Sequence, residues 1–208
     1  MPSLRDESRT WLPSPGFAHT CMILAGIAVL QALAAVIARE PRLQSANAIG
    51  AAVCGIAAAH YASMHGRDIE VGWGYRYSDW YPTTLLLLLE IFWLMTPADQ
   101  SVAWQFAGPS LGACALMVFF GQLSRREVPG AFALGCLMGV AVLVLTVFAT
   151  NHGVATRNSW VWFFLALWAL YPFAVLLPDR AGQPMLNVLD LLTKGLFGAV
   201  VALIALPH

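Results

Sequence analysis

Asn187-Val-Leu-Asp-Leu-Leu-Thr-Lys-Gly-Leu-Phe-Gly-Ala-Val-Val-Ala-Leu-Ile-Ala-Leu206 is long and apolar enough to cross a membrane as a helix, yet it carries two charges, Asp190 and Lys194. Lys194 is the only lysine of the chain; the other ten basic residues are arginines. A cation at mid-membrane costs at least ~3 kcal/mol on insertion scales, so it requires a partner or a chemical task. Asp190 lies one turn earlier, at i,i+4, on the same helix face. Two readings follow from these residues. One is a neutralised ion pair that fixes packing. The other is an amine held for Schiff-base chemistry, in which a desolvated lysine condenses with a carbonyl compound.

The rest of the chain is of the same kind. It has 208 residues, 59% hydrophobic and only 11% charged, with a mean hydropathy of +0.69. That composition marks an integral membrane protein. Net charge is zero, which argues against nucleic acid as a partner. Seven apolar stretches of about 20 residues, joined by short connections, use up the chain. They run over residues 16–38, 44–64, 75–95, 102–123, 129–150, 159–177 and 185–206. The expected fold is an all-α membrane protein, a seven-transmembrane-helix bundle. A barrel is excluded because its strands need only ~10 residues and alternate in polarity. Residues 1–15 read as a short surface tail, with three prolines, four charges and no apolar core. Residues 16–208 read as one membrane domain. Cys21, Cys54, Cys114 and Cys136 all fall within apolar spans and read as small apolar side chains; no metal site is expected.

The third stretch holds the second polar group: Arg76-Tyr-Ser-Asp-Trp-Tyr-Pro-Thr-Thr-Leu-Leu-Leu-Leu-Leu-Glu90. Arg76, Asp79 and Thr83 are spaced i,i+3 and i,i+4, so they are neighbours on one face. Asp79 and Glu90 are 11 residues apart, about three turns, which puts them on that face ~16 Å apart. Stacked carboxyl groups with a lysine on another helix resemble a proton relay. On residue chemistry alone, Arg76 as an interfacial cap and Glu90 as a neutral acid bonded to another helix stay open.

Here the chain resembles the microbial (type 1) rhodopsins. The Arg76–Glu90 stretch is similar to their third helix. Trp168-Ala-Leu-Tyr-Pro172 resembles their sixth, and Asp190-Leu-Leu-Thr-Lys-Gly-Leu-Phe-Gly198 their seventh. The three motifs occur in order across seven spans. Asp79, Thr83 and Glu90, with His60-Tyr-Ala-Ser-Met64 and Phe132-Ala-Leu-Gly-Cys-Leu137, look most like the proteorhodopsin subgroup.

This resemblance implies a light-driven outward proton pump. Lys194 would carry all-trans-retinal as a protonated Schiff base. Asp79 would be the counterion and proton acceptor, and Asp190 the second counterion. Arg76 would sit below both carboxylates, and Thr83 and His60 would hydrogen-bond Asp79. Glu90 would be protonated at rest and act as proton donor. The retinal pocket would be walled by Tyr77, Trp80, Thr84, Leu87, Met117, Gly121, Phe132, Gly135, Trp168, Tyr171, Pro172 and Thr193. Leu87 implies green absorption, and the Thr193 hydroxyl would pull the colour toward blue. The implied partners are membrane lipid, protons and further copies of the chain in a trimer or pentamer. The implied location is a bacterial inner membrane, with the N-terminus outside and the C-terminus cytoplasmic. A photosensor or a light-gated channel is the alternative on the same scaffold. A non-retinal transporter coupled through Asp190 and Lys194 is a third.

Three features depart from the pattern. Proline stands at Pro82, before the threonine pair, and Leu85 stands where the family has it. A proline inside a helix frees the carbonyl four residues earlier, here Ser78, which would alter hydration around Asp79. Val175 stands where an aromatic is expected. The family orientation would place Arg39, Arg42 and Arg157 in the cytoplasm and Arg5, Arg9, Arg67, Arg125, Arg126 and Arg180 outside. The positive-inside rule favours the reverse.

Overall fold

The computed structural model describes residues 16–65, 77–96, 101–150, 159–177 and 179–206. These form seven helical spans. The first five are α1 (Gly16–Ile37), α2 (Pro41–His65), α3 (Trp80–Met95), α4 (Trp104–Arg125) and α5 (Ala131–Thr150). The sixth is α6 (Ser159–Trp168) followed by α7 (Tyr171–Leu176). The seventh is α8 (Asp179–Asp190), a π-helical segment Leu191–Leu196, and α9 (Phe197–Ala205). By length and composition, Gly16–Ile37, Trp104–Ser124, Ala131–Ala149 and Ala181–Ala205 suffice to cross a membrane. Trp80–Met95 and Trp162–Leu176 are apolar but shorter.

Burial follows a lipid-solvated pattern. Met22, Val29, Leu33 and Val36 on α1 and Leu137, Val140, Val144 and Phe148 on α5 are exposed. Gln31, Asn47, Glu90, Thr193 and Lys194 are buried. Between the spans lies a core of Leu87, Leu88, Ile91, Phe92, Phe164, Phe197 and Val201, with the Phe164 and Phe197 rings 4.4 Å apart. Where α1 meets α9, the contact is built from Ala34, Ala38, Ala202 and Ala205. Small side chains let the two backbones approach closely where no water drives association. A buried hydroxyl pair, Ser110 and Thr146 at 3.0 Å, joins α4 to α5. Their connection turns sharply through Glu127, at φ 59°, and Gly130, at φ 75°.

Prolines account for most differences from the expected boundaries. α2 starts at Pro41 rather than residue 44, because proline at the first helical position loses no intrahelical bond. The third helix starts at Trp80 rather than Tyr75. Tyr77–Asp79 form a turn, and Thr83 N–H donates to the Asp79 carbonyl at 3.0 Å. Pro82 therefore sits in the first helical turn, where its missing N–H interrupts nothing, and the expected mid-helix break at Ser78 does not arise. Residues 75 and 76 lie outside the described residues. The sixth span, expected to be one helix over 159–177, is interrupted at Ala169–Leu170. Pro172 cannot donate to the Trp168 carbonyl, so the winding stops and restarts. The seventh span begins at Asp179, not residue 185, and takes Pro184 into α8. The N-terminal tail, residues 1–15, lies outside the described residues.

The sixth and seventh spans meet backbone to backbone at Gly182. A Cβ there would stand 2.8 Å from the Ala174 carbonyl oxygen and 3.4 Å from that of Leu177. Gly182→Ala is expected to destabilise the protein by roughly 1–3 kcal/mol, through the backbone shift it forces. A lowered thermal midpoint of the detergent-solubilised apoprotein checks this.

Candidate functional site

The site is built around the Lys194 ammonium. Its Nζ lies 3.2 Å from Asp79 Oδ2 and 3.2 Å from Asp190 Oδ1. The three residues are only 3%, 4% and 1% exposed. Lys194 sits in the π-helical segment, a winding that recurs at functional positions in helices. Its own carbonyl accepts a contact from the Cys54 thiol of α2 at 3.5 Å.

The two carboxylates are held differently. Asp190 receives a phenol hydroxyl on each oxygen: Tyr61 on Oδ2 at 2.7 Å and Tyr171 on Oδ1 at 2.8 Å. Tyr61 also reaches Asn187 Oδ1 at 3.2 Å, and Tyr171 reaches the Thr193 hydroxyl at 2.8 Å. The Asp79 carboxylate has no such phenol among the described residues. Its Oδ1 faces His60 Nε2 at 3.5 Å, which is an ion-pair contact longer than an ordinary hydrogen bond. Thr83, expected on the Asp79 carboxyl group, instead donates its hydroxyl to the Asp79 backbone carbonyl at 2.7 Å. A threonine four residues along a helix reaches that carbonyl most easily. Arg76 lies outside the described residues.

An apolar cavity of about 330 Å³ reaches Lys194 and Asp190 of this triad. Every residue expected on the pocket wall lines it: Tyr77, Trp80, Thr84, Leu87, Met117, Gly121, Phe132, Gly135, Trp168, Tyr171, Pro172, Thr193 and Lys194. Ser124, Cys136, Gly139, Val140, Leu143, Ala169, Phe173, Val175 and Asp190 complete it. The Trp80 ring stands edge-on to Tyr77, centroids 4.7 Å apart, and to Tyr171 at 5.0 Å, which fixes one wall. Glycines on α4 and α5 keep the space clear. A Cβ at Gly121 would press Tyr77 at 3.3 Å, and one at Gly139 would press Met117 Sδ at 3.4 Å. The volume and apolar lining suit an apolar ligand, and the one lysine on the wall offers an amine to a carbonyl group.

Glu90 stands apart from the triad, fully buried, and accepts a hydrogen bond from Gln31 Nε2 of α1 at 3.4 Å.

The family model described as bacteriorhodopsin-like protein matches residues 16–207. The chain belongs to this family of microbial rhodopsins. A green-light absorbing proteorhodopsin from Gamma-proteobacterium EBAC31A08 is 29% identical, over 72% of this chain and 69% of the relative. Bacteriorhodopsin-I of Haloquadratum walsbyi is 27% identical, over 78% of this chain and 75% of the relative. The proton pumping rhodopsin AR2 of the marine alga Acetabularia acetabulum superposes with a TM-score of 0.73 at 27% identity, covering 91% and 92% of the two chains. The viral rhodopsin OLPVRII shares the fold with a TM-score of 0.82 at 21% identity, covering 91% and 95%. Membership makes the chain an integral membrane rhodopsin whose chromophore is retinal, and the cavity described above fits that group.

Four residues of this rhodopsin's polar framework were not legible as such. Tyr61 follows His60 directly, but phenols in membrane helices are common and its reach to Asp190 crosses between spans. Asn187 and Cys54 gave no signal beyond their type. Gln31 did carry one, being the only amide in the α1 stretch.

Removing the cation leaves two buried carboxylates facing each other. Lys194→Met is expected to destabilise the apoprotein by about 3–5 kcal/mol. Adding Asp79→Asn should restore part of that loss, since the remaining acid keeps its two phenols. Thermal unfolding of the single and double variants gives the comparison.

Proposed function

We propose that this rhodopsin is a light-driven outward proton pump, with retinal held on Lys194 as a protonated Schiff base. The observation that carries the reading is the pairing of Lys194 Nζ with Asp79 and Asp190, each at 3.2 Å, where the apolar cavity reaches Lys194 and Asp190. Bound there, retinal would supply light absorption and an isomerisation that changes how tightly the Lys194 nitrogen holds its proton.

The chain's own residues do the rest. Asp79 takes the proton leaving the Lys194 nitrogen, on the oxygens that no phenol occupies. Asp190 stays ionised under Tyr61 and Tyr171 and keeps the site's charge balanced. His60 holds the far Asp79 oxygen from α2. Arg76, by the family pattern, closes the group on the release side. Glu90 returns a proton to the Lys194 nitrogen from the opposite side of the bundle. Trp80, Trp168 and Tyr171 line the cavity and would hold retinal in place there. Support comes from the proton pumping rhodopsin of Acetabularia acetabulum and the proteorhodopsin relative. In this reading the N-terminus faces outward in a bacterial inner membrane, and residues 1–15 are a tail on the 16–208 membrane domain.

The arginine distribution favours a second reading, the same machine inserted the other way round and moving protons inward. Light-induced pH change in unbuffered cells supplied with retinal separates the two. Outward pumping acidifies the medium, inward movement alkalinises it, and a protonophore abolishes either. Asp79→Asn is expected to eliminate the signal. Glu90→Gln should slow proton uptake by roughly 10²–10⁴-fold, the usual contribution of a positioned proton donor. A coloured protein with no pH signal at any pH would contradict pumping and favour a sensor.

A further inference from the structure

Gln31 sits in the middle of α1, 0% exposed. Its Nε2 donates to Glu90 Oε1 across the first and third spans, at 3.4 Å. The other two atoms of the pair, Gln31 Oε1 and Glu90 Oε2, are buried with no hydrogen-bond partner among the described residues. This is unusual, because buried polar atoms are nearly always paired.

Two glycines make the arrangement possible. A Cβ at Gly50 of α2 would stand 2.0 Å from Gln31 Nε2 and 2.6 Å from Glu90 Oε1. A Cβ at Gly198 of α9 would stand 2.6 Å from Gln31 Oε1. Any side chain at either position would push the amide off the acid. The first span thus reaches Glu90 through a slot that the second and seventh spans leave open.

An amide offers a donor and an acceptor on one rotatable plane, and half a turn about its last bond exchanges them. A carboxylate only accepts, whereas a carboxylic acid also donates. The unpaired oxygens, one on each partner, are what a change of protonation at Glu90 would bring into use.

We propose that Gln31 is the positioning residue for the Glu90 proton: its carbonyl oxygen accepts the acid's O–H while Glu90 is protonated, and its NH2 donates to the carboxylate once the proton has gone to the Lys194 nitrogen, in a slot kept open by Gly50 and Gly198. This rests on the reading of Glu90 as proton donor.

The test combines dark-state infrared spectra, taken with and without retinal, with time-resolved proton uptake. The Glu90 carboxylic C=O band is identified by its loss in Glu90→Gln. In Gln31→Leu that band moves to higher wavenumber, as for a carboxyl group without a hydrogen bond, and uptake slows roughly 10- to 100-fold. The absorption maximum stays where it is in the unaltered protein, because Gln31 does not line the retinal cavity. Gly50→Ser alone displaces the amide and behaves like Gln31→Leu. Gly50→Ser combined with Gln31→Ala brings a hydroxyl to Glu90 and moves both readouts back. Should Gln31→Leu not accumulate, Gln31→Met, of similar reach and also apolar, carries the same comparison. An unmoved band and unchanged uptake in the Gln31 variant, with uptake slowed in Glu90→Gln, overturns the proposal alone. A Glu90→Gln protein that loses no band and pumps at the original rate overturns the donor reading and this proposal together.

Discussion

One buried cation governs this molecule. A lysine inside an apolar bundle is tolerated only with its charge compensated, and here compensation comes from two helices, Asp79 beside α3 and Asp190 in the seventh span. The third and seventh spans are thereby pinned in register. Tyr61 from the second span and Tyr171 from the sixth then converge on Asp190. The cavity opens away from this knot because its other walls are apolar and the glycines of α4 and α5 leave the space unfilled.

The same geometry holds the two acids differently. Two aspartates share one lysine, but one accepts a phenol hydroxyl on each oxygen, whereas among the described residues the other has a long imidazole contact and no phenol. Glu90 is separated from them by apolar turns of α3 and belongs to a different polar unit, reached from α1.

Much of this was legible in the sequence because membrane depth makes polar residues conspicuous. Lys194, Asp190, Asp79 and Glu90 each stood out against apolar neighbours, and helical spacing placed them on faces. The pocket walls followed from motif resemblance rather than from periodicity, since an aromatic in a helix looks the same whether it packs on a ligand or on a neighbour. Helix ends were read less well. Pro41, Pro82, Pro172 and Pro184 each act according to their distance from a terminus, which hydropathy does not register. The π-helical winding at Leu191–Leu196 has no composition signal at all. Contacts between distant spans, such as Gln31 with Glu90 or Tyr61 with Asp190, needed the packing to be visible. The Thr83 hydroxyl went to its own backbone because that acceptor was nearer than the carboxyl group expected for it.

In the proposed function, Lys194 holds retinal covalently between its two carboxylates. Because the chain has a single lysine, the direct test is to regenerate the protein with all-trans-retinal, reduce it with borohydride under illumination, digest it and weigh the peptides. The account predicts a retinyl addition confined to the peptide that contains Lys194, with no addition in a Lys194→Ala protein. A Lys194 peptide of unmodified mass from visibly coloured protein would contradict it.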